Sequence, residues 1–189
     1  MNRTLTTAAV ALSAIFALPA MAEPEAYVFD ASHSQIVFSY DHLGYSTTYG
    51  MFGGFDGDIM FDQEDPSASS VTVSFPSTTM LTGWDARFEH FMSDDFFAGT
   101  DVTFTSTAIE VTGEGTADIT GDLTLNGVTK EIVLDATLNL VGDHPMENEP
   151  WAGFNATTTL LRSDFGLGLF APAIGDEVEV MISIEAMKA

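Results

Sequence analysis

Residues 113–141 read GEGTADITGDLTLNGVTKEIVLDATLNLV. In the first arm Ile119, Leu123 and Leu125 alternate with Thr120, Asp122 and Thr124. In the second Ile132, Leu134, Ala136, Leu138 and Leu140 alternate with Glu131, Asp135, Thr137 and Asn139. A period of two puts each apolar set on one face of an extended strand. Between the arms, Asn126-Gly127 suits a two-residue type I′ turn, which requires positive φ at both central positions. The stretch predicts a β-hairpin with one apolar face.

Strand patterns continue on both sides of the hairpin. Tyr27-Val28-Phe29 leads into Ile36, Phe38 and Tyr40; Met51 to Phe61, Val71-Val73-Phe75 and Val102-Phe104 follow, then Phe154 to Leu160 and Val178 to Ile184. That is eight or nine strands without a βαβ crossover. Gly50, Gly53, Gly54 and Gly57 interrupt the third segment, as bulges or sharp coiling would. One short helix is expected from Trp84 to Met92, with Thr82 as N-cap and Phe88, Phe91 and Met92 as its apolar stripe. Residues 142–150, GDHPMENEP, read as a polar loop. A sheet of this kind hides its apolar face against a second sheet or by closing into a barrel, and eight strands give a barrel that side chains fill or that holds one small ligand.

Residues 1–22 read as an export signal: Arg3, an apolar run from Ala8 to Leu18, and a small-x-small site at Ala20-Met21-Ala22. The run falls short of the roughly 20 residues that cross a bilayer. Cleavage would leave one domain, residues 23–189, with no transmembrane segment and four cations against 28 carboxylates, a formal charge of −24. Nucleic acid is excluded as a partner, because its phosphates must be neutralised by Lys and Arg. Contact with lipid must come from apolar burial, not charge. No cysteine is present, which removes disulfide, thioredoxin-like and Cys-zinc chemistry.

No catalytic constellation stands out. The histidines lack HxH or HxxxH spacing, no GxSxG elbow occurs, and pairs such as Asp94-Asp95 read as solvated turn residues. No cofactor is expected. The arginines are more informative because cations are so few. Arg87 lies among Phe88, His90 and Phe91, and Arg162 follows Leu160-Leu161. Each arginine either pairs with a nearby carboxylate to fix a helix or barrel end, or faces a ligand.

Several segments together resemble the YceI-like family of periplasmic, lipocalin-like lipid-binding proteins. They are ITGDLTLNGVTKEI (119–132), Tyr27-Val-Phe-Asp30-Ala-Ser-His33-Ser34, Gly50-Met-Phe52, the helix and loop from Arg87 to Phe97, and Leu161-Arg162-Ser163-Asp164-Phe165-Gly166. Phe88 occupies the place where that family's helix often carries an acidic residue. The resemblance implies an all-β, extended eight-stranded antiparallel barrel with one or two short helices, located in the periplasm. Its lumen would bind a long isoprenoid, such as a polyprenyl chain or a quinone tail, without catalysis. The expected ligand-binding residues are Phe38, Tyr40, His42, Phe52, Arg87, His90, Phe91, Phe97, Phe104, Arg162 and Phe165. A homodimer is compatible with the sequence. Two other readings stand beside this one: a metal-dependent enzyme using converging histidines, and a filled barrel with a purely structural or interaction role.

Overall fold

The computed structural model describes residues 23–189, and the export-signal reading of residues 1–22 lies outside them. Ten strands follow in chain order: β1 (Glu25–Phe29), β2 (Gln35–His42), β3 (Ser46–Phe52), β4 (Asp56–Phe61), β5 (Ser70–Pro76), β6 (Asp101–Gly113), β7 (Thr116–Leu125), β8 (Val128–Asp143), β9 (Pro150–Leu161) and β10 (Ile174–Lys188). A single helix, α1 (Asp85–Phe91), lies between β5 and β6, and short 3-10 turns occupy Pro66–Ala68, Ser77–Thr79 and Arg162–Phe165. All strand pairings are antiparallel. They run β1-β4-β5-β6-β7-β8-β9-β10-β2-β3, and β1 also pairs with β10, so the sheet closes on itself.

Ten strands make eight positions around the barrel. The first part of β10 pairs with β2, from Ile174 opposite His42 to Ser183 opposite Gln35, and its end pairs with β1 at Phe29 opposite Ala186. β1 and β2 therefore lie end to end in one position, interrupted at residues 30–34. β3 beside β2 and β4 beside β1 share the next position, interrupted at residues 53–55. An interruption leaves backbone groups of the neighbouring strand without ladder partners. Here the Ser34 hydroxyl, 3% exposed, lies 3.2 Å from both the amide and the carbonyl of Glu185, and the Asp30 amide donates to that carbonyl at 2.8 Å.

The Met51 to Phe61 segment is thus two strands, broken where Gly53 and Gly54 occur. Gly57 lets β4 approach β5, because a Cβ there would lie 2.0 Å from the Thr72 carbonyl oxygen. The hairpin forms as its alternation predicts: Leu125 pairs with Val128, and Asn126 and Gly127 take φ of 51° and 73°. One residue of its apolar face departs. Leu140 is 71% exposed, because the β8–β9 register shifts between Leu138 and Leu140 and a bulge reverses the inward parity. Val141 packs inward instead. β8 reaches Asp143 and β9 starts at Pro150, so the polar loop is residues 144–149.

The N-cap expectation also needs correction. Trp84 is the cap residue of α1 and makes no side-chain capping bond. Thr82 stands two residues earlier, and its hydroxyl donates to the Trp84 carbonyl at 2.8 Å, which fixes the entry to the helix. Phe88, Phe91 and Met92 pack on the core as the stripe predicts. Beside β3, Met51 forms an isolated antiparallel bridge with Leu81, in the segment that leads into α1. In this region Phe91 and Phe97 pack edge-on against Tyr40 and Phe52, with ring centres 6.4 and 6.2 Å apart.

Candidate ligand-binding cavity

Inward-facing side chains do not fill the barrel. They enclose a cavity of about 980 Å³ that runs from the end bearing α1 to the opposite end near Gln63, Gly113 and Thr137. Its wall is built by alternation: Ile36, Phe38 and Tyr40 from β2, Ile119, Leu123 and Leu125 from β7, Ile132, Leu134 and Ala136 from β8, and Val178, Val180 and Ile182 from β10 all face it. Small residues widen it along one row, where Ala117, Ala136 and Ala156 are register partners across β7, β8 and β9. On the side of the interrupted strands the wall is aromatic. Phe38, Phe52, Phe75 and Phe55 follow one another with ring centres 5.1 to 5.4 Å apart. Beside β1, Tyr27 packs with Ile59, Phe61, Ala152 and Ala186, and of these Ile59 and Phe61 also line the cavity.

All eleven residues singled out from the sequence lie on this cavity wall. Phe38, Phe52, Phe104 and Phe165 are buried core residues, whereas Tyr40, His42, Arg87, His90, Phe91, Phe97 and Arg162 are more accessible. The charged and polar members gather at the α1 end. Tyr40 lies between them; burial, the largest influence, pushes its hydroxyl above the usual phenol range, against smaller opposing effects of Thr48, Arg87 and Arg162.

Arg162 uses its guanidinium on the backbone. Its Nε donates to the Gly175 carbonyl at 2.7 Å, Nη1 to the carbonyls of Leu167 and Leu169, and Nη2 to that of Ile174 at 2.8 Å. The partners expected for an end-fixing arginine were carboxylates; the structure supplies carbonyls of the following loop and of the first residues of β10. The rest of the motif does similar work. The Ser163 hydroxyl and amide donate to Asp176 at 2.6 and 2.9 Å, which draws that carboxyl below its ordinary range. Asp164 meets Lys130 at 3.6 Å, and the Phe165 carbonyl accepts from the Asn126 side chain at 3.1 Å. Arg87 is less engaged, donating from Nη1 to the Thr82 carbonyl at 3.0 Å. Among the described residues neither arginine has a carboxylate within 4 Å.

His42 and His90 both stand at this end of the cavity, but His33 does not. It joins Asp30 and Glu185 at the interruption between β1 and β2, where the three place ligand atoms within 4.8 Å of one another, the one such group among the described residues. None of the three lines the cavity. His33 Nδ1 is already hydrogen-bonded to Asp30 Oδ2 at 2.6 Å, which raises the imidazole above its usual range.

Sequence reasoning missed Trp84, Leu169 and Phe170, which border the cavity at the same end. A usable signal was present: residues 165–175, FGLGLFAPAIG, contain no charge in a chain with 28 carboxylates.

Residues 27–186 match the YceI-like domain family. A UPF0312 protein of Ectopseudomonas mendocina is 41% identical over 184 residues, 93% of each chain. Among solved structures, the Campylobacter jejuni YceI protein superposes with a TM-score of 0.71 at 28% identity, covering 79% of this chain and 90% of its own. A polyisoprenoid binding domain from Saccharophagus degradans shares the fold with a TM-score of 0.64 at 13% identity, covering 88% of this chain and 99% of its own.

Proposed function

The chain belongs to the YceI-like domain family, and on that footing we propose that it binds the tail of a long isoprenoid lipid, a polyprenyl chain or the tail of a quinone, and carries or sequesters it without catalysis. The observation that supports this reading is the form of the cavity: about 980 Å³ of hydrocarbon-lined space with its cationic side chains at one end. A cavity of about 150 Å³ accommodates one benzene, so this one has room for on the order of 30 to 40 carbon atoms. Each buried methylene contributes about 0.8 kcal/mol. Association costs several kcal/mol, so a tail of several isoprene units is needed before binding is useful. The Saccharophagus degradans neighbour, a polyisoprenoid binding domain, agrees with this ligand class.

The export-signal pattern favours the periplasm as the place of action. A neutral head such as a quinone suits the mouth better than a pyrophosphate. Arg162 already serves four carbonyls, and the protein's formal charge repels further anions at low salt.

The decisive experiment is organic extraction and mass spectrometry of protein purified without added lipid, followed by uptake of a ubiquinone from ethanol into stripped protein. A co-purifying isoprenoid or stoichiometric uptake is expected. Protein that neither carries nor takes up a long-tailed lipid would overturn the reading.

A further inference from the structure

The α1 end of the barrel differs from the opposite end in a way that tail binding does not require. Two loop tips flank the cavity mouth there. The β2–β3 turn carries Leu43 and Tyr45 between the cavity-lining His42 and Ser46, and the loop before β10 carries Leu169 and Phe170. Ile174 pairs with His42, so the two tips are neighbours. Trp84 stands at the same mouth, before α1. Tyr45 is 89% exposed, Trp84 64% and Phe170 55%. Leu43 and Phe170 hold φ of 61° and 65°, a left-handed conformation that bulky L residues adopt only at a cost. That backbone presents apolar side chains to solvent, where burial gives no return within this chain.

Charge follows the same division. Residues 42–55 and 165–175 carry none of the 28 carboxylates, whereas the loops at the far end, 61–69 and 143–149, carry Asp62, Glu64, Asp65, Asp143, Glu147 and Glu149. The carboxylates that flank the apolar tips are engaged or paired for the most part: Asp41 caps its own turn by accepting from the Gly44 amide, Asp164 meets Lys130, Asp176 accepts from Ser163 with Glu177 beside it, and Asp85 and Glu89 on α1 have Arg87 and His90 beside them.

We propose that this end is a membrane-docking surface: Leu43, Tyr45, Trp84, Leu169 and Phe170 enter the interfacial layer of a zwitterionic bilayer and bring the tunnel mouth into contact with it. Tyr and Trp favour that layer, since each has an apolar body and a polar edge. The apolar wall of the cavity continues through Trp84, Leu169 and Phe170 to the rim, so a tail would pass from bilayer to lumen without crossing water. A second copy of the chain fits less well. The exposed area of the three aromatics is on the order of 400 Å², about half of what each partner contributes to a stable dimer. The surrounding acidity selects against anionic lipid: binding to phosphatidylcholine weakens as phosphatidylglycerol is added at low salt and recovers as salt screens the repulsion.

This inference rests on the lipid-tail reading, and its test separates the two. The variant Trp151→Phe leaves Trp84 as the sole tryptophan of residues 23–189. With phosphatidylcholine vesicles, its emission should shift to the blue and be quenched by brominated acyl chains. Adding Tyr45→Ser or, separately, Leu43→Ser, neither of which lines the cavity, should reduce vesicle flotation at least tenfold, with circular dichroism and ubiquinone uptake from ethanol unchanged. Uptake without any vesicle-induced change at Trp84 would overturn the docking proposal and leave the tail reading intact. Vesicle docking without uptake of any long-tailed lipid would support docking and remove the tail reading. A concentration-dependent dimer that shields Trp84 from acrylamide without vesicles would assign the rim to a second copy and overturn docking.

Discussion

A methyl group added at Gly57 would meet the Thr72 carbonyl oxygen at 2.0 Å, and its φ of 144° lies in a region L residues rarely enter. The clash is with the backbone of β5, so no side-chain rotation relieves it. Gly57→Ala is therefore expected to cost at least about 2 kcal/mol, seen as a lower denaturant midpoint at unchanged slope. At Gly127 φ is 73° but the space beyond is open. Gly127→Val should cost about 1 kcal/mol from backbone strain alone. An unchanged midpoint would contradict the turn's role. The Asp30–His33 pair gives a pH-dependent test. The hydrogen bond to Asp30, aided by that residue's charge, raises His33; its contribution is fully present below pH 6.5 and fades as pH rises through the raised value. Burial alone would raise Asp30, but hydrogen bonds from Ser32 and His33 together hold it down; its contribution is present above pH 3.8 and fades as pH falls through the lowered value. The difference in melting temperature between wild type and His33→Gln should be largest between those two limits and shrink on the alkaline side. A difference that stays constant from pH 5 to 9 would show that the pair is not linked to folding.

Among elements, the corner from Leu161 to Gly166 ties three parts of the barrel together: the Asn-Gly turn through Asn126, β10 through Asp176, and the 167–173 loop through Arg162. Lysine has a single point charge and no planar fork, so it cannot serve four carbonyls at once. Arg162→Lys is expected to lower stability by about 2 to 3 kcal/mol, measured by equilibrium unfolding. Unchanged stability with weakened ubiquinone uptake would identify Arg162 as a ligand contact instead. The same corner marks what a sequence can reveal. Alternation and Asn-Gly made β7 and β8 legible because both signals are local, whereas the eleven expected cavity residues came with the family resemblance, and only Phe38, Tyr40, His42, Phe52 and Phe104 of them lie on strands where parity applies. Arg162's true acceptors were hidden, since backbone carbonyls carry no residue signature and become neighbours only when the loop folds back. The inversion at Leu140 was hidden for a related reason: the bulge is defined by register against β9. The interruptions at residues 30–34 and 53–55 appear as shared positions only when β10 and β1 supply the reference.

For the molecule as a whole, the alanine row across β7, β8 and β9 sets the bore of the tunnel. Ala136 is 8% exposed and faces the lumen, so Ala136→Phe adds a ring where the ligand would lie. Uptake of long tails should fall at least tenfold, with a smaller loss for tails of one or two isoprene units that need only the mouth. Overpacking typically costs 1 to 3 kcal/mol, so the folded fraction must be measured alongside. Equal loss for short and long tails would argue against a continuous tunnel. The manner of closure has a consequence of another kind. β1 at the start of the fold completes the ring with β10 at its end, Tyr27 lying opposite Lys188. During synthesis from the N-terminus the nine other strands appear before the one that seals them, and no lumen exists until residues 174–188 have emerged. Such long-range pairing slows folding, and the chain remains an open, unlatched ribbon for almost the whole of its production. The lipid loading proposed above would in consequence have to wait for β10.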